Sequence, residues 1–336
     1  MALHLIENFF PYGTVGSTLS SANANFNTQW ITHGSSAALI TDGFHADAKS
    51  LTLPRTGSTF AQVERRYTTT DDTVIIGYAF RATQRGATTF SVRADDVTPI
   101  IDLEWPNQFK IGADTGSATI LLNKVYFVEL KLAKTAKTYE LRVNGYPYLS
   151  GTFTETVPDT IQCFWGFPEA ATPAADFVFS YVYFMDGSAG KHTDFLGPQK
   201  VRQRLSTTAV DPGWSPEPSS KSRVDIMNNI PALPAEYTEA DTAGDKDMYL
   251  SSAPIDSEEI VNGVAVTSLL TKTDIDDQYV ALQIQNGVDE KLGTDISVPI
   301  QPAYFQSVFE TDAANADWTP ATVVATAYGT VIRPRP

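Results

Sequence analysis

The stretch from Ile120 to Gly197 constrains the fold most strongly, because its apolar residues recur at every second position. Apolar side chains occupy positions 126, 128, 130 and 132, and again 139, 141 and 143. A period of two is typical of half-buried strands. A short polar run over 133–137 joins these strands, and Asn144-Gly145 supplies the two positive-φ positions of a type I′ hairpin turn. The stretch therefore predicts an antiparallel meander.

A central strand follows between Phe177 and Met185, where both alternating sets are mostly apolar. Such a strand is covered on both faces, so a second sheet must pack against the meander. We expect the facing strands to bury Tyr126, Val128, Leu130, Tyr139, Leu141, Val143, Phe179 and Tyr181.

The remaining sequence predicts further strands and a division into two domains. Short apolar runs bounded by Gly, Pro, Asp or Thr recur about every 8–12 residues, as in β-sandwiches. The 336 residues also exceed the size at which a single core stops growing. We predict an all-β protein with an antiparallel β-sandwich over 1–204, an extended Pro-rich connector over 205–245, and a second, smaller β-sandwich over 246–336.

The predicted connector contains five prolines and irregularly spaced apolar residues. Prolines keep a segment extended, because each lacks a backbone donor and fixes φ. The apolar side chains would anchor the segment on the chain's own sandwich or on a neighbouring subunit. We predict assembly contacts at Trp214, Ile226 and Leu233.

The charge distribution argues against binding to nucleic acid. The net charge is −15, and residues 205–336 contribute most of it, with 7 Lys and Arg against 20 Asp and Glu. Phosphate backbones are repelled by such a surface. No apolar run reaches the roughly 20 residues of a membrane span, and the N-terminus lacks the features of a secretion signal. We expect neither a nucleic-acid partner nor a membrane span.

The single cysteine, Cys163, rules out an internal disulfide framework. It stands beside Phe164 and Trp165, which predicts a small buried side chain rather than a nucleophile. We expect no cofactor, because the sequence contains neither a dinucleotide-binding nor a P-loop glycine pattern.

Two carboxylates are the best candidates for catalysis. Asp102 and Glu104 stand two apart in the predicted strand PIIDLEW and hence on one face. Paired carboxylates can cleave glycosidic bonds. Retaining glucanases with a concanavalin-like sandwich carry Glu-x-Asp-x-x-Glu, whereas only Asp-x-Glu is found here. We predict no catalytic residue, and interpret the pair as a solvated strand face.

No metal site is predicted either. His4, His33, His45 and His192 lack zinc-type spacing. The aspartate clusters at 241, 245 and 247 and at 274, 276 and 277 do not fit a calcium-binding loop, and capping of turns explains them.

The order of several motifs resembles a known family. The succession QVERRY, TVIIGYAFRA, PIIDLEW, YFVELKLAKTAKTYELRVNGYPYLSG, FVFSYVYFMDG and DFLGPQKVRQRL is similar to the concanavalin A/laminin-G-like domain of tailed-bacteriophage virion proteins. The resemblance continues through DPGWSP, AEYTEADTAGDKDMYLSS, VNGVAVTSLLTK and FETDAANADWTPATV, and so covers nearly the whole chain.

This resemblance implies a structural protein of a virion, most simply one associated with the tail, as tail tip, baseplate or fibre. Its partners would be other virion proteins and copies of itself within a symmetric assembly, and its location the virion. A capsid decoration protein is one alternative. The other is a module that binds host-surface glycan, with aromatic contacts at Trp30, Trp105, Tyr146 and Tyr148.

Overall fold

A computed structural model of the chain describes residues 1–19, 29–45, 48–166, 174–233, 235–251 and 255–334. Strands account for 51% of the described residues and helices for 4%, which confirms the all-β class. The chain divides into two compact units, Met1–Arg202 and Gln203–Pro336. The boundary lies close to the predicted end of the first domain at residue 204.

The first unit contains sixteen strands among its described residues. They are β1 (Ala2–Glu7), β2 (Thr18–Leu19), β3 (Ile31–Gly34), β4 (Ala38–Asp42), β5 (Lys49–Thr56), β6 (Thr59–Thr68), β7 (Thr73–Ala82), β8 (Gly86–Arg93), β9 (Pro99–Trp105), β10 (Lys110–Ile111), β11 (Asp114–Thr115), β12 (Tyr126–Ala133), β13 (Thr138–Val143), β14 (Tyr146–Thr152), β15 (Thr160–Gly166) and β16 (Ala175–Asp186). A single turn of 3-10 helix covers Phe10–Tyr12.

These strands form two antiparallel layers. Sheet A has the order β14-β13-β12-β7-β16-β5-β4-β2, and β1 also pairs with β16. Sheet B has the order β11-β10-β9-β8-β15-β6-β3. A short pairing of β5 with β6 joins the layers. The predicted meander is β12-β13-β14, and β16 lies centrally in sheet A as expected.

The core between the layers is aromatic. The Trp165 ring of sheet B stacks on Phe179 of sheet A with 5.5 Å between ring centroids, so the two layers face each other. Seven of the eight predicted core residues are buried, with exposed fractions of 8% or less, and Tyr126 is half-buried. The predicted burial is therefore confirmed for these seven residues, although β12, β13 and β16 all lie in sheet A rather than on facing sheets.

The other face of sheet A is also covered at β12, where the alternation predicted a half-buried strand. Glu129 is fully buried there, and its Oε1 accepts hydrogen bonds from the Tyr183 hydroxyl and from Gly197 N at 2.8 Å. The segment 194–198, called the strap below, thus lies over β12. Burial raises the pKa of Glu129, and the hydrogen bonds oppose this rise only in part.

The second unit contains ten strands and two short helices among its described residues. They are β17 (Ser206–Pro212), β18 (Ser215–Glu217), α1 (Arg223–Met227), β19 (Tyr237–Glu239), β20 (Lys246–Ser251), β21 (Val264–Leu270), β22 (Tyr279–Asn286), β23 (Asp289–Leu292), β24 (Ile296–Ser297), β25 (Ala303–Phe309), α2 (Pro320–Ala325) and β26 (Ala327–Arg333).

A six-stranded sheet and a two-stranded ribbon build most of this unit. The sheet has the order β17-β20-β26-β22-β23, with β24 also on β22, and the ribbon is β21-β25. The remaining two strands, β18 and β19, pair with each other. Leu282 and Ile284 of the sheet pack with Val266 and Phe309 of the ribbon. The unit thus has two packed layers, and it extends over Gln203–Pro336 rather than over the predicted 246–336 alone.

The segment predicted as a connector, 205–245, folds into this second unit. Its first part is β17, the edge strand beside β20. Ile226 of α1 is 4% exposed, and Trp214 packs against the buried residues Leu270, Val280 and Val298. Two of the three predicted assembly residues are therefore anchored in their own unit, and only Leu233, at 44% exposed, presents a large apolar side chain to solvent.

Candidate functional site

The two predicted carboxylates lie on the outward face of sheet B. Glu104 is half-exposed and its Oε2 lies 3.5 Å from Lys110 Nζ. Asp102 stands opposite Ser91 in the register of β8 and β9, and its Oδ1 is buried with no hydrogen-bond partner among the described residues. Both side chains share one face, as the sequence predicts.

A charged network that the sequence analysis missed lies on the same face. Glu64 is fully buried, and its two oxygens accept hydrogen bonds from His33 Nε2 at 2.8 Å and Arg66 Nε at 2.6 Å. Burial alone would raise the pKa of Glu64, but these bonds outweigh it and lower the pKa. The two hydrogen bonds therefore favour the ionised form of the Glu64 carboxyl group. No sequence signal connects His33 with Glu64, because pairing of β3 with β6 brings them together.

One cluster contains the residue types of a nucleophilic triad without its geometry. His4 Nε2 donates to Asp186 Oδ1 at 2.9 Å and also lies 3.4 Å from the Ser188 hydroxyl. In a working triad the two imidazole nitrogens serve different partners. Here one nitrogen faces both partners, and Ser188 donates to Asp186 as well. The cluster is structural.

Two of the four predicted glycan contacts are in the core. Trp30 and Trp105 are both fully buried, and their rings pack against Trp165 and Phe80 respectively. Neither ring has a face open to a sugar, so this interpretation of the two tryptophans was wrong. The alternation in β9 contains the signal for Trp105, because that residue shares the inward face with Ile101 and Leu103.

The other two aromatic residues lie on the β13–β14 hairpin at the edge of sheet A. Asn144 and Gly145 form its turn with φ of 53° and 82°, as predicted for a type I′ turn. The side-chain Oδ1 of Asn144 accepts a hydrogen bond from Phe127 N at 2.8 Å, which ties the turn to β12. Tyr146, the first residue after the turn, is 76% exposed.

A surface depression with a volume of about 430 Å³ lies on this hairpin. Its lining consists of Glu140, Pro147, Tyr148, Leu149 and Ser150. A one-residue bulge interrupts the pairing after Leu141, so Ser150 stands directly opposite Glu140. The depression therefore combines an aromatic ring, a carboxylate and a hydroxyl group on adjacent strands, and we call it the hairpin groove.

Tyr148 is a fixed part of the hairpin groove. Its hydroxyl group accepts a hydrogen bond from Phe109 N at 3.1 Å and donates one to Ala118 O. Its ring packs directly over Gly116, where a Cβ atom would overlap the ring carbon Cε1. Only glycine fits at 116, and the ring is held from the side of the 109–118 loop.

The carboxylate of Glu140 is also held in place. Its Oε1 accepts a hydrogen bond from Arg142 Nε at 2.8 Å. The Arg142 guanidinium stacks on the Phe195 ring of the strap at 4.0 Å, and its Nη2 lies 3.6 Å from Asp194 Oδ2. The outer face of β13 is therefore ordered by the strap.

Other kinds of site find little support in the described part of the chain. No group of three or more His, Cys, Asp or Glu side chains there could hold a metal ion. No described helix is long and apolar enough to cross a membrane. Cys163 is fully buried, as predicted, and burial raises the pKa of its thiol.

Comparisons with known proteins assign no family. No family model matches the sequence, and no curated protein matches it. Among solved structures, the chain shows a weak similarity to a sialidase, with 14% identity, a TM-score of 0.39, and coverage of 52% of this chain and 19% of that one.

Two further solved structures show similarity at the same level. An alginate lyase from Corynebacterium sp. has 7% identity and a TM-score of 0.36, with 49% of this chain and 97% of that one covered. Lectin I-B4 from Griffonia simplicifolia has 11% identity and a TM-score of 0.37, with 52% and 100% covered. These values are too low to assign to this chain the ligand or activity of any of the three proteins.

Proposed function

We propose that the protein binds carbohydrate, without cleaving it, through the hairpin groove of its first unit. The observation that carries this proposal is the groove itself, in which Tyr148, Glu140 and Ser150 line one depression. Tyr146, which is 76% exposed, begins the same strand. Aromatic rings receive the apolar face of a sugar, and polar groups at fixed positions bind its hydroxyls. The volume of about 430 Å³ falls within the roughly 300–1,000 Å³ typical of ligand sites.

The composition of the groove favours binding over catalysis. Glycoside hydrolysis commonly uses two carboxyl groups on either side of the bond. Glu140 is the single carboxylate among the residues that line the groove. Its oxygen Oε1 is engaged with Arg142, which fixes its orientation.

Glycan-array screening of the whole chain, followed by calorimetry on the glycans that bind, tests the proposal. Replacing Tyr146 by Ala should weaken binding by about threefold to tenfold, the worth of one stacked ring. Tyr237→Ala is the matched control, because Tyr237 is also exposed, at 42%, but lies in the second unit. Absence of binding to every glycan, or equal loss in both variants, would contradict the proposal.

A structural role in a tailed-phage virion is the second candidate, and the ordered sequence resemblance over nearly the whole chain favours it. The partners would then be other virion proteins and copies of this chain, and a groove for host-surface glycan suits a tail-associated position better than a decorated capsid. Quantitative mass spectrometry of purified particles tests this candidate. A fixed copy number per particle would support it, and absence from the particles would exclude it.

A further inference from the structure

We infer that the hairpin groove selects electroneutral saccharides and discriminates against acidic ones, because Glu140 is its single charged lining residue. This inference rests on the proposed function and adds the charge class of the ligand. It follows from the hydrogen bonds of Glu140 and Arg142 and from the position of Ser150 opposite Glu140.

Glu140 has one oxygen available to a ligand. Its Oε1 accepts from Arg142 Nε at 2.8 Å, while its Oε2 makes no hydrogen bond to any described residue. The side chain is 35% exposed, so the free oxygen is accessible in the groove. An ionised carboxylate only accepts hydrogen bonds, and it therefore favours ligand groups that donate, such as sugar hydroxyls.

Ser150 supplies a second polar group next to Glu140. It stands directly opposite Glu140 on β14, and its hydroxyl group has no hydrogen-bond partner among the residues that the structure describes. Side chains opposite each other on antiparallel strands have Cβ atoms about 4.5–5.5 Å apart. Two polar side chains this close together can contact hydroxyl groups of the same sugar ring.

The nearby cation is not available to an acidic sugar. Arg142 is hydrogen-bonded to Glu140, lies 3.6 Å from Asp194, and stacks on Phe195 at 4.0 Å. Lys131 is likewise paired with Asp194 at 2.9 Å. A carboxylate or sulfate on a ligand would thus meet the charge of Glu140 with no Lys or Arg among the described residues that line the groove to offset it. Like charges brought together in this way disfavour binding.

Paired oligosaccharides test this inference. Each pair consists of a neutral tetrasaccharide of glucose, mannose or galactose and the same chain oxidised at C6 to uronic acid units. We expect the whole chain to bind the neutral member at least about tenfold more tightly. Glu140→Gln removes the charge and retains the size, and should reduce that ratio by about tenfold.

Glu104→Gln is the matched control. Glu104 is also half-exposed on an outward strand face and also pairs with a cation, Lys110 at 3.5 Å, but it lies on sheet B. This variant should keep the parent's ratio. Ser150→Ala, at an exposed position, should weaken binding of the neutral member severalfold and leave the melting temperature unchanged. This second variant leaves the hydrogen bond between Glu140 and Arg142 intact.

The possible failures are distinguishable. If no oligosaccharide binds, or if Tyr146→Ala has no effect on binding, the proposed function fails and this inference fails with it. If binding occurs and depends on Tyr146, equal or tighter binding of the acidic members would overturn the inference alone. The inference would also be overturned if Glu140→Gln left the ratio of neutral to acidic binding unchanged.

Discussion

At the residue scale, the inward or outward direction of each side chain decides which of the predicted contacts can function. The two tryptophans predicted as glycan contacts are core residues, whereas Tyr146 and Tyr148 are on the surface hairpin. Aromatic composition alone does not distinguish these cases. The alternation within β9 does so for Trp105, since its neighbours at 102 and 104 face outward.

The main residue that sequence reasoning missed is the partner of Glu140. A two-residue turn at 144–145 pairs 143 with 146, and simple counting then places Leu149 opposite Glu140. The bulge after Leu141 shifts this register by one residue and places Ser150 there instead. Bulges depend on local backbone geometry that period-two patterns do not encode, so the polar pair of the groove could not be predicted.

A prediction at the residue scale concerns Asp186, which is 3% exposed. Burial alone would raise its pKa, but hydrogen bonds from Ser188, Thr69, His4 and Tyr67 lower it well below the ordinary value of 3.8. Because the folded state holds the ionised form, the contribution of Asp186 to stability is fully present above that ordinary value. This contribution is lost as the pH falls from the ordinary pKa toward the lower pKa of the folded state.

Asp186→Asn should therefore lower the free energy of unfolding at pH 7 by about 1.5–3 kcal/mol, the worth of hydrogen bonds to a charged group. The variant should also lose less stability than the parent between pH 4 and pH 2. Urea denaturation at several pH values measures both effects. Asp42→Asn is the control, because the Asp42 side chain is 88% exposed. If the free energy of unfolding of the parent and of the Asp186 variant changed in parallel with pH, the hydrogen bonds would not stabilise the ionised form of Asp186.

At the element scale, the segment 205–245 differs from its prediction, because composition predicted a connector and the segment packs into the second unit instead. Five prolines between 205 and 245 predicted an extended connector. The segment instead supplies β17, whose pairing with β20 includes two irregular positions, and α1, whose N-cap Ser222 accepts from Asp225 N. Prolines are compatible with an edge strand, and the apolar residues find pockets in the same unit.

This packing predicts different effects for two residues of that segment. Ile226→Ser should destabilise the protein by about 2–4 kcal/mol, because a buried apolar side chain, 4% exposed, is replaced by a small polar one. Leu233→Ser should leave stability unchanged, because Leu233 is 44% exposed. Thermal melts followed by circular dichroism compare the two. Equal melting temperatures for Ile226→Ser and the parent would mean that α1 is not docked as described.

At the scale of the whole molecule, the two-sandwich architecture could be predicted because it depends on repeated patterns. Alternation, hairpin turns and chain length together predicted the meander, the central β16 and a second unit. The buried Glu129 and Glu64 could not be predicted, because each depends on a contact between distant segments, the strap with β12 and β3 with β6. A functional site depends on contacts between segments that are distant in sequence. It can therefore be predicted from the sequence less directly than the fold can.

The location of the ligand tests the central claim most directly. Hydrogen–deuterium exchange of the whole chain should be measured with and without a saturating oligosaccharide that binds. We predict slower exchange over residues 140–150, which carry the hairpin groove, and no change over residues 99–105 of sheet B. Protection of 99–105 around Asp102 and Glu104, with none at 140–150, would contradict the claim that this chain recognises carbohydrate through the hairpin.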